Sequence, residues 1–128
     1  MEGTSIHQNV TSYQIELVAE ALRDLMREHE KRPVKGDQWL DGSPRFTRVC
    51  YACGFVCTDL SPFETQPLYE AVMKGRPSLS KATLLGLRMF FHYMIRNDRH
   101  CGGGVVEDFV ASPYAKVAHE RLMHFAEG

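Results

Sequence analysis

No apolar run in the 128-residue chain approaches the roughly 18 residues that a membrane-spanning helix needs, so no transmembrane segment is expected. The stretch Met1-Glu2-Gly3-Thr4-Ser5 lacks both the basic and the apolar regions of a signal peptide. A cytoplasmic setting with reduced thiols is therefore the expectation. Neither sign of charge dominates: 15 Lys and Arg against 16 Asp and Glu leave a formal net charge of −1. A domain that grips nucleic acid nonspecifically is usually strongly basic, so nucleic acid is not expected as a direct ligand. The chain also lacks H-E-x-x-H, G-x-S-x-G, Walker A, dinucleotide-binding and paired-carboxylate motifs. Without them no catalytic residue and no cofactor can be named, and a non-enzymatic role is expected.

What is present is ordinary globular composition, 44% hydrophobic and 24% charged residues. One domain over residues 1–128 follows, long enough to bury a core without disulfides or metals.

The apolar residues recur at helical spacing. Thr11 and Gln14 form a capping box ahead of Ile15, Val18, Leu22, Leu25, Met26 and His29, predicting a helix to about Lys31 that Pro33 ends. Residues 1–10 read as a loose arm before it, and 33–43 as a polar loop in which Trp39 packs against a neighbour. Ser43-Pro44 starts a second helix whose stripe is Phe46, Val49, Cys50, Cys53, Val56 and Cys57, with a strand as the competing reading. Ser61-Pro62-Phe63-Glu64 repeats the start pattern, and Pro67 predicts a break and a restart that runs to Lys74. Ser80 is expected to cap the longest helix, about 81–98. There Leu84, Leu85, Leu87, Met89, Phe90, Phe91, Met94 and Ile95 cover almost the whole circumference. Such a helix belongs at the centre of a bundle. After Gly102-Gly103-Gly104, Val105–Ala111 predicts a short helix, and Ser112-Pro113 opens a last one. The expected fold is an all-α, single-domain bundle of about five or six helices around 81–98.

Two stretches carry a resemblance. Tyr51-Ala52-Cys53-Gly54-Phe55-Val56 and Arg96-Asn97-Asp98-Arg99-His100-Cys101-Gly102-Gly103-Gly104, followed by His119-Glu120-Arg121-Leu122, resemble a bacterial family known only as a domain of unknown function. Its signature is Arg-x-x-Arg-Phe-x-x-Gly. His100 stands at the Phe position, and Thr58-Asp59-Leu60-Ser61 lacks the family's Trp. The resemblance implies a small, mainly helical bacterial protein and no activity.

Two clusters could carry chemistry. Cys50 and Cys53 form a C-x-x-C, with Cys57 one turn on and Cys101 elsewhere, residue types that suit zinc. Cys50, Cys53 and Cys57 lie on one apolar stripe and read as core thiols instead, so no metal is expected. The second cluster is Arg96, Arg99 and His100 with Gly102, Gly103 and Gly104. Glycine amides before a helix and two arginines at i, i+3 could hold a phosphate or carboxylate. The competing reading is a chain turn with helix-capping arginines. Trp39, alone in its loop, is a second contact candidate. From these residues the expected function is a non-enzymatic interaction protein that binds a protein partner, in the manner of phage or mobile-element inhibitors of host defence. The alternatives are a small anion- or nucleotide-binding domain using Arg96–Gly104, and a zinc-stabilised module.

Overall fold

The computed structural model describes residues 5–33, 39–76 and 78–128. They form six helices: α1 (Ser12–Lys31), α2 (Ser43–Ala52), α3 (Pro62–Met73), α4 (Leu84–His100), α5 (Val105–Ala111) and α6 (Tyr114–Glu127). A 3-10 turn, Leu79–Lys81, precedes α4. The all-α bundle is as the periodicity predicts. α1 packs on α6, α3 on α4, and α2 and α5 both touch α1.

The capping box at the start of α1 forms. The Thr11 Oγ1 accepts from the Gln14 amide, and the Gln14 side chain accepts from the Thr11 amide. With 20 residues α1, not α4 with 17, is the longest helix. Ser80 lies in the 3-10 turn, and Thr83 caps α4 by accepting from the Gly86 amide at 3.0 Å. α4 is nevertheless the buried element. Phe90, Phe91, Met94 and Ile95 are wholly inaccessible. The Phe91 ring meets those of Phe46, Phe55, Phe90 and Phe109 at centroid distances of 5.7–6.2 Å. Rings from α2, from the loop after it and from α5 thus converge on one residue of α4.

Two further expectations are corrected. α2 stops at Ala52 rather than reaching Cys57. Gly54 adopts φ +82°, and the Phe55 amide bonds back to the Cys50 carbonyl at 2.9 Å, a closure that glycine tolerates without strain. Cys57 therefore sits in a buried loop, not on the helical stripe. α3 runs unbroken through Pro67. Proline there costs the amide bond to the Phe63 carbonyl, but both residues are exposed, so water serves that carbonyl. A Ser61–Glu64 capping box fixes the first turn ahead of it.

Of the arm, the described residues from Ser5 onward are fastened to the bundle. Arg88 on α4 is 4% exposed and has no carboxylate partner among the described residues. Its guanidinium donates to four main-chain carbonyls: Gly54 (2.8 Å), Ile6 (3.1 Å), Gln8 (2.9 Å) and Ser5 (3.2 Å). Asp59 accepts from the Ser5 hydroxyl and the Ile6 amide, both at 2.8 Å. Within the expected polar loop, 34–38 lie outside the described residues. Beyond them, the Glu28 carboxylate on α1 accepts the Asp41 and Gly42 amides and so anchors the chain just after Trp39.

Candidate functional site

The corner where α4 ends is built by three glycines, all at positive φ: +81°, +111° and +98° for Gly102, Gly103 and Gly104. The Gly103 amide bonds to the Asp98 carbonyl at 2.8 Å, and the Gly102 amide to the Arg99 carbonyl at 3.4 Å, closing α4. The Gly104 amide donates to the Glu107 side chain at 3.2 Å. Asp98 accepts the Val106 amide at 3.0 Å, and the Ser43 hydroxyl donates to Glu107. Burial raises the Asp98 carboxyl above its ordinary range, the nearby Glu107 charge adds to this, and the Val106 amide opposes it. All three glycine amides are thus bonded within the chain, and two of the protein's own carboxylates hold the start of α5. The expected glycine cradle is not open to an outside anion, which would have to be held by side chains.

Those side chains divide between two grooves. Trp39 lies on the glycine turn: a Cβ on Gly103 would stand 2.9 Å from the indole Cζ2. The indole is still 59% exposed. With Thr47, Tyr51, Arg99 and Gly103 it lines a groove of about 500 Å³, in which Asp98 and Glu107 also take part. The second groove, about 670 Å³, runs between α3 and α4. Phe63, Gln66, Tyr93, Arg96, Arg99 and His100 line it. Arg99 borders both grooves. Its guanidinium donates to the Tyr51 hydroxyl at 2.8 Å and lies 5.7 Å from that ring's centroid.

The structure therefore brings Trp39, Arg99, Gly102 and Gly103 to one groove and Arg96, Arg99 and His100 to the other, while Gly104 serves only as the cap of α5. Arg96, Arg99 and His100 are exposed. Neither arginine has an ion pair among the described residues. Sequence reasoning missed Phe63, which is 84% exposed on the first turn of α3. Its only sequence mark is a large aromatic set inside a capping box, where the helix has not yet reached the core. The Tyr51 and Tyr93 contributions carry no such mark.

The cysteines lie apart. Cys50, Cys53 and Cys57 are buried, whereas Cys101 is exposed at the end of α4. Burial raises the thiol pKa of all three buried cysteines; the Cys53 charge adds to this at Cys50, and Arg88 opposes it at Cys57. Protonated thiols are poor ligands. Among the described residues no group of three or more His, Cys, Asp or Glu side chains could hold a metal. His92 is buried beside Cys57 and accepts that residue's amide at Nδ1 at 2.9 Å. Its pKa lies below the ordinary imidazole range, first through burial and then through the Arg96 charge. No described helix is long and apolar enough to cross a membrane.

No family model, no curated protein and no solved structure matches the chain.

Proposed function

We propose that this protein is a non-enzymatic interaction protein, and that a protein partner docks across the corner formed by the end of α4, the glycine turn and Trp39. The observation that carries this reading is the arrangement of exposed aromatics around unpaired cations. Trp39 and Phe63 are 59% and 84% exposed, and Arg96 and Arg99 between them have no ion pair among the described residues. Aromatic and arginine side chains dominate the energetics of protein interfaces. A large exposed ring over rigid backbone loses little conformational entropy on binding. Trp39 has that support, because its loop is tied to Glu28 on one side and rests on Gly103 on the other. A reducing, cytoplasmic setting suits a chain with three buried thiols and one exposed thiol.

The test is capture from a lysate of the native host with tagged wild type, Trp39→Ala and the double variant Arg96→Ala with Arg99→Ala. The side chains removed in these variants are all exposed, so both variants are expected to fold. A protein captured by wild type and lost by both variants, with unchanged circular dichroism and melting temperature, supports the reading. A folded double variant that captures the same protein overturns it.

A further inference from the structure

We infer that the groove between α3 and α4 receives an acidic segment of the partner in which carboxylates are interspersed with apolar side chains. This rests on the interaction reading above and specifies its chemistry. Although acids outnumber bases in the chain, 16 to 15, this groove is lined by two arginines and a histidine and, among the described residues, by no carboxylate. The nearest acids on α3 are already engaged. Glu64 accepts the Ser61 amide in the capping box, and Glu70 accepts from the Gln66 side chain at 2.8 Å. Arg96 and Arg99, at i, i+3 in the last turns of α4, stand side by side, a spacing at which two carboxylates or one bidentate carboxylate can be held.

Phe63 supplies the apolar half of the match. It is too exposed to contribute to the core and lies at the same groove as the arginines. A volume of about 670 Å³ is enough for several side chains of an extended segment. The neighbouring groove gives the contrast. Asp98 and Glu107 line it, so an acidic segment is repelled there and steered to the α3–α4 side. A polynucleotide is the weaker match, because two arginines and one ring offer no track of cations along a backbone and the chain as a whole is slightly negative.

The probes are two short fluorescein-labelled peptides, one alternating Glu and Leu and the other alternating Gln and Leu, titrated by fluorescence anisotropy. Wild type is expected to bind the Glu peptide about tenfold more tightly at low salt, and to lose most of that advantage near about 0.5 M salt. Arg96→Gln and Phe63→Ser should each weaken the Glu peptide by about three- to tenfold, while Trp39→Ala, in the other groove, leaves it unchanged. Equal affinity for the two peptides overturns the inference, as does indifference to Arg96→Gln. Displacement of the peptide by excess ATP or by a single-stranded oligonucleotide that binds the same arginines more tightly also overturns it, in favour of a nucleotide or nucleic-acid ligand. If the peptides fail while lysate capture still depends on Arg96 and Arg99, the acidic-segment inference falls and the interaction reading stands. If both fail, both fall.

Discussion

Replacing Arg88 by Met tests whether one buried cation holds the chain ahead of α1 in place. In the native protein four carbonyls accept from this guanidinium, three of them from residues 5–8 and one from Gly54. A hydrogen bond to a charged group contributes about 1.5–3 kcal/mol, so the gross interaction is about 6–12 kcal/mol. Most of that does not appear as lost stability, because desolvating the guanidinium costs several kcal/mol and Met removes this cost. Three of the acceptors can also lift into water with their segment. The Gly54 carbonyl cannot, since it is buried in the turn that closes α2 and would keep only a 3.8 Å contact with the Cys57 thiol. Leaving that acceptor unsatisfied, with the segment undocked, predicts a loss of about 2–3 kcal/mol. Urea denaturation reads the total, and hydrogen exchange reads its location. The amides of Ile6 and Gln8, bonded to Asp59 and to the Ser5 carbonyl, should lose protection while α1 and α6 keep theirs. A lysine ammonium at this position could not fork to four acceptors, so Arg88→Lys should lose part of the same protection. Unchanged protection at Ile6 and Gln8, with stability within about 0.5 kcal/mol of wild type, would refute the clamp.

Other outcomes follow from the same packing and titration arguments. Phe91→Ala should cost about 3–5 kcal/mol, more than any other aromatic truncation, because four phenyl rings, from α2, the loop after it, α5 and α4 itself, close on it; a melting temperature within about 3 °C of wild type would show that the site collapses. Burial depresses the pKa of His92 and His119, so the unfolded chain takes up protons first, and stability should fall as pH drops below about 6.5; a urea midpoint that stays flat to pH 5 contradicts this. In native protein a thiol reagent should label Cys101 rapidly and the other three cysteines only on unfolding, and rapid labelling of more than one thiol would show that the core opens.

The helices are legible in the sequence wherever local chemistry decides them. Thr11 with Gln14 and Ser61 with Glu64 are complete capping boxes within four residues, and both form. The centrality of α4 is legible because eight apolar side chains leave the helix little polar face. The errors fall where one residue has two possible roles. Gly54 can be read as a glycine tolerated within a helix, but it is equally suited to closing one, and the Phe55-to-Cys50 bond shows which role wins. Pro67 reads as a breaker, yet it comes early in α3 on an exposed face, where the lost bond is cheap to forgo. Arg88 is visible as a lone cation between Leu87 and Met89. Its partners are main-chain carbonyls, which carry no sequence mark, so its burial cannot be read from the sequence.

The corner is legible in its residues but not in its chemistry. Three glycines before a helix suggest free amides, and free amides suggest an anion. The same three amides, however, are what a helix ending at His100 and a helix beginning at Val105 both require, and only three-dimensional closure shows that Asp98, Arg99 and Glu107 take them. Once the backbone is satisfied internally, recognition at this corner has to come from side chains. The pairing of Trp39 with Gly103 joins residues distant in sequence, so no local spacing could announce it. What the fold leaves facing outward is an indole on one side of Arg99 and a phenyl ring with Arg96 on the other. Among the described residues, acids line the first groove and none line the second. A partner that reads both grooves must therefore change its own charge character across Arg99, which is a stricter requirement than affinity for arginine alone. It predicts that reversing charge with Arg96→Glu abolishes capture, whereas Arg96→Lys retains most of it; capture that survives the reversal would show that the partner does not read the α3–α4 groove.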